Sequence, residues 1–149
     1  MLKKNIILLT LLFFLNNCGF TPIYLENNNV NFSIEQADFK GDRELNNFIK
    51  INLNKYKNNE TDNKISIEVN SVYNKIIISK DNAGEVTNYQ LEANVTILIK
   101  STNKLIKINE KKIMENMDDK FKETDYENSA KQSFASSITN KLVSKLIIN

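Results

Sequence analysis

Apolar residues recur along this chain with two different periods, and the period changes where the elements change. Val30, Phe32 and Ile34 alternate with Asn31, Ser33 and Glu35, which predicts a strand ending near Phe39. Gly41-Asp42 follows, with Asp42 placed to cap a helix. Leu45, Phe48, Ile49, Leu53 and Tyr56 then recur at helical spacing over residues 43–57, opposite Asn46, Asn47, Lys50 and Asn54. A polar loop over residues 58–63 leads back to period two. Ile65, Ile67, Val69 and Tyr73 alternate with Ser66, Glu68, Asn70 and Asn74, and the alternation is lost at Ile76-Ile77-Ile78.

Asp81-Asn82-Ala83-Gly84 carries turn chemistry. The next strand has the cleanest alternation of all. Tyr89, Leu91, Ala93, Val95, Ile97 and Ile99 face one way, and Asn88, Gln90, Glu92, Asn94, Thr96 and Lys100 the other. A turn over residues 101–104 precedes a less regular strand marked by Leu105, Ile106, Ile108, Ile113 and Met114. Residues 117–124 are charged and read as a loop. Asp125 then caps a long helix whose stripe is Tyr126, Ala130, Phe134, Ile138, Leu142 and Leu146.

The element order is therefore β-α-β-β-β-α. Each strand has one apolar face and each helix one apolar stripe. The economical packing is an α+β two-layer sandwich, with two helices on one face of a four-stranded, largely antiparallel sheet. Its other face, lined by residues such as Glu92, Asn94 and Thr96, is left polar.

The first residues follow a different pattern. Lys3 and Lys4 precede an apolar run from Ile6 to Leu15, broken only by Thr10, and Cys18 follows as the single cysteine. A basic start, a short apolar core and a polar step predict a cleaved export signal. Ten helical residues rise only about 15 Å against roughly 30 Å of bilayer core, so a spanning helix fits less well. The expected organisation is a lipoprotein signal peptide over residues 1–17, a lipidated tether over 18–29 and one domain over 30–149. Cys18 is the expected acylation site. The residue before it is Asn17, where such signals usually carry a small residue. The competing reading is a secreted or signal-anchored protein in which Cys18 is incidental.

Composition narrows the function. The chain has 20 basic and 18 acidic residues, and the two become equal without Lys3 and Lys4. That disfavours a nucleic-acid partner. No disulfide can form within a chain of one cysteine, although an exported protein could carry one. Histidine is absent. There is then no imidazole base, no histidine metal ligand and no zinc site of the usual kind. Three glycines cannot supply a phosphate-cradling loop. The expectation is a non-enzymatic protein with no catalytic residues, metal or cofactor.

The start Cys18-Gly19-Phe20-Thr21-Pro22-Ile23-Tyr24, the element order, the step Asn88-Tyr89-Gln90-Leu91 and the Ala-and-aliphatic closing helix together resemble the LPS-assembly lipoprotein family, LptE. The resemblance covers nearly the whole chain. It implies a lipid-anchored protein on the periplasmic side of the outer membrane. It implies a partner too, the β-barrel LPS-assembly protein LptD, whose lumen such a protein plugs and whose assembly it assists. Lipopolysaccharide is the implied cargo. By the same resemblance, the basic sites for lipid A phosphates fall near Lys80, beside the turn, and near Lys120 or Lys122, before the last helix. The bland alternative for these three is solvated lysines in a lysine-rich chain. The alternative for the whole protein is an unrelated envelope lipoprotein that binds a small apolar ligand or stabilises the envelope.

Overall fold

The computed structural model describes residues 30–147. The expected signal peptide, Cys18 and the whole of the expected tether lie outside the described residues. Four strands are present: β1 (Ser33–Gly41), β2 (Lys64–Lys80), β3 (Val86–Ile99) and β4 (Lys104–Glu115). Two helices accompany them, α1 (Arg43–Leu53) and α2 (Lys120–Ile147). The strands form one mixed sheet in the order β1-β2-β3-β4. β1 lies parallel to β2, which requires the α1 crossover, and the other two pairs are antiparallel hairpins. α1 lies over β1 and β2, α2 over β3 and β4, and the helices pack on each other. This is the expected α+β sandwich.

The core is the layer between helices and sheet. Ile67, Val69, Leu91, Ala93 and Ile97 of the sheet are fully buried there, together with Leu45, Ile49, Ala130, Ile138 and Leu142 of the helices. Cross-strand register makes the burial continuous, with Val69 opposite Ile97 and Ile97 opposite Ile106.

Three local departures have physical causes. The register of β1 against β2 shifts between Ile34 and Gln36, so the extra residue moves the inward phase from Ile34 to Ala37 and Phe39. Simple alternation from Val30 placed Ser33 outward, and Ser33 is buried. α1 ends at Leu53 rather than near residue 57. The chain tightens into a 3₁₀ turn, Asn54–Tyr56, that keeps Tyr56 on the core side, stacked on Phe32 at 5.8 Å. Finally, α2 begins at Lys120 and not after Asp125. Asp119 is its cap: Oδ1 accepts from the Phe121 and Lys122 amides at 2.9 and 3.3 Å. The charged stretch read as a loop is thus partly helix. Its inward residue is Glu123, which no apolar pattern would mark.

Two features fix the crossover. Asp42 caps α1, its Oδ1 accepting from the Leu45 amide at 2.8 Å. Gly41 has φ +94°, and a Cβ there would lie 1.8 Å from the Ser71 carbonyl oxygen. The β1–α1 corner is therefore pressed against β2 at Ser71, where the Asp42 amide donates to the Ser71 carbonyl at 3.0 Å.

Candidate functional site

The open sheet face is built by the residues that alternate with the core. Glu92, Asn94 and Thr96 lie on it, as expected, opposite Lys111, Asn109 and Lys107 of β4. Asn109 donates to Glu92 at 2.7 Å and to Asn94 at 2.6 Å, and Lys111 stands 3.5 Å from Glu92. On the β1 side, Lys40 pairs with Glu68 at 2.8 Å and Lys100 with Asp38 at 2.6 Å. The asparagine donor and the Lys111 charge hold the Glu92 carboxyl below its usual range, and Lys100 does the same for Asp38. The face is thus largely polar and laced with ion pairs and asparagine hydrogen bonds, with Val72 and Leu105 as its exposed apolar positions at mid-sheet and toward the β3–β4 turn. Such a surface docks against another polar surface without the desolvation penalty of unpaired charges.

The second polar assembly lies inside the sandwich, where alternation along β2 places Tyr73 and Lys75 on the helix side. Lys75 pairs with Glu123 and, at 2.8 Å, with Glu127 of α2, and its ammonium lies 4.3 Å from the centre of the Tyr89 ring. Lys120 closes on Glu123 from outside at 2.6 Å. The Tyr73 hydroxyl meets Glu127 at 3.3 Å. Lys131 lies over the Tyr73 ring and pairs with Glu44 of α1. Lys120 and Lys75 hold the Glu123 carboxyl below its usual value despite burial. Burial pushes the Lys75 ammonium down, but Glu123 and Glu127 outweigh it and the net shift is upward. Burial, and then the Glu127 charge, push the Tyr73 phenol well up. These groups tie α1, α2 and β2 together. Alternation alone showed only that Lys75 faced inward, not that two glutamates would meet it.

The sequence-derived lysines fall at one end of the molecule. Lys80 ends β2, opposite Val86, and the Asn116 amide donates to the Thr87 carbonyl at 2.8 Å, which places the start of α2 at that same end. Their surroundings differ. Lys120 is engaged by Glu123, whereas Lys80 and Lys122 are exposed and form no ion pair among the described residues. Carboxylates outnumber lysines around them, with Asp81, Glu85, Glu115, Asp118, Asp119 and Asp125 all exposed. Cys18 lies outside the described residues.

At the other end, a recess of about 320 Å³ opens between the end of α2 and the strands, with Ile65, Ile99 and Leu146 on its apolar wall and Asn63, Ser101 and Lys104 at its rim. Among the described residues no cluster of carboxylates is placed to hold a metal ion, and no helix is long and apolar enough to cross a membrane.

No protein-family model matches the chain, and no curated protein matches it. Solved structures do. The rare lipoprotein B from Shewanella oneidensis superposes with a TM-score of 0.52 at 12% identity, over 74% of this chain and 95% of that one. A minor lipoprotein from Acinetobacter baumannii gives 0.51 at 12% identity, over 74% and 93%. An uncharacterized lipoprotein B from Nitrosomonas europaea gives 0.52 at 13% identity, over 76% and 83%. The chain therefore shares its fold with these bacterial lipoprotein structures.

Proposed function

We propose that this protein is a non-enzymatic, lipid-anchored subunit of the lipopolysaccharide translocon. In this reading Cys18 carries the lipid and holds the domain at the periplasmic side of the outer membrane. The domain docks inside the β-barrel LPS-assembly protein LptD, supports its assembly and assists insertion of lipopolysaccharide into the outer leaflet. The observation that carries the reading is the fold shared with a rare lipoprotein B and a minor lipoprotein over nearly their whole length. The hydrogen-bonded polar sheet face supports it, because the lumen of a large barrel is itself polar. Lys80 and Lys122 are the cations left for lipid A phosphates.

Depletion of the protein tests this directly. Surface lipopolysaccharide and mature barrel should both fall, and normal levels of both would sink the proposal. The recess beside Ile65, Ile99 and Leu146 supports a second reading, an envelope lipoprotein that holds a small apolar ligand there. That reading requires saturable binding of such a ligand, lost on substitution of Leu146 by a polar residue.

A further inference from the structure

Five of the nine exposed large apolar residues among the described residues gather at one end of the domain, the other four being Ile51, Val72, Leu105 and Ile147. Ile76, Ile77 and Ile78 of β2 are 42, 51 and 45% exposed, Ile113 of β4 is 61% exposed and Phe121 of α2 is 81% exposed. All five lie at the end where the β2–β3 hairpin turns and α2 begins. The exposure follows from the packing. α1 starts level with Ser71 and runs toward the beginning of β2, so it covers nothing beyond that point. The upper part of β2 projects past it.

Register places the apolar residues on both sides of the sheet. Ile76 and Ile113 flank Gln90 on the open face, whereas Ile77 pairs with Tyr89 on the helix face. The run in which alternation fails is therefore a wedge, apolar front and back. Its rim is acidic on balance: Asp81, Glu85, Glu115 and Asp118 are exposed and in no ion pair among the described residues, against the two lysines Lys80 and Lys122.

We infer that this hairpin end is a protein-docking wedge, and that its partner presents an apolar socket rimmed by lysine or arginine. Apolar residues on two faces need a partner that encloses them, since a flat surface would leave one side in water. The unpaired carboxylates call for a basic rim. They also argue against an anionic membrane surface as the occupant. A second copy of the chain is disfavoured, because two acidic rims repel. The inference rests on the translocon reading only for the partner's identity, an enclosing barrel.

Photocrosslinking amino acids at positions 113 and 121 of the full-length chain, with position 94 on the mid-sheet face as reference, test it in cells. The expected result is that 113 and 121 both crosslink to the barrel, at an apolar segment flanked by lysine or arginine. Reversing the rim with Glu115→Lys and Asp118→Lys should cut the yield at least about tenfold, with thermal unfolding unchanged. Crosslinks to such a segment in a different protein would sustain the wedge and sink the barrel reading. Crosslinks at 113 and 121 only to lipopolysaccharide, to other lipid or to a second copy would overturn the inference, as would none there while position 94 captures the barrel. Silence at all three positions would overturn both.

Discussion

Replacing Glu123 by glutamine isolates the buried ion-pair layer. The Glu123 side chain is 7% exposed and that of Lys75 is 24% exposed. Breaking a fully buried pair costs about 3–5 kcal/mol, because the remaining charge is stranded. Here Lys75 keeps Glu127 at 2.8 Å and some contact with water. Lys120 is 78% exposed on its side chain and loses little when released. The expected loss is therefore about 1–3 kcal/mol near neutral pH, seen as a fall in melting temperature of roughly 4–12 °C. The sign of the pH dependence follows from the carboxyl. Lys120 and Lys75 lower its folded pKa below the usual 4.5, so its contribution is complete above that value. It disappears as pH falls through the folded pKa. Urea unfolding of parent and Glu123→Gln at about pH 7, 5 and 3 should give a gap that is constant between the upper two and shrinks at the lowest. A gap of the same size at all three, or none near neutrality, would refute the reasoning.

Other substitutions probe the frame. Gly41→Ala places a methyl group on the Ser71 carbonyl at positive φ, and should cost roughly 2–4 kcal/mol in urea unfolding. Asp119→Ala should lose about 1 kcal/mol and some helical circular dichroism, while Asp125→Ala should stay within about 0.5 kcal/mol. The opposite ranking would return the start of α2 to Asp125. Ile138→Ala, at a fully buried position of α2, should cost about 2–5 kcal/mol without changing the fold seen by circular dichroism.

Much of the architecture was legible because burial imposes a period. The alternation from Tyr89 to Ile99 needed nothing beyond the chain, since β3 is central and one-sided. The element order and the two-layer packing followed from counting faces. The Asp42 cap was legible because it precedes a clean apolar stripe. Asp119 was missed because the turn it caps buries a glutamate. The candidate lysines were legible as types near turns. That Lys120 pairs with Glu123, three residues on, was not, because residues 117–124 read as a loop and only the helix brings the two together, while Lys80 and Lys122 form no ion pair among the described residues.

What the sequence determined by itself is what repeats locally: strand and helix periods, the cap of α1, the equality of charge once Lys3 and Lys4 are set aside, and the absence of histidine. The tertiary structure alone decided the rest. It placed Lys75 against Glu123 and Glu127 across the sandwich, shifted the phase of β1 at Ile34, and left Ile76 to Ile78 beyond the reach of α1. Each depends on which segments meet at a distance along the chain, and a local pattern carries no record of that.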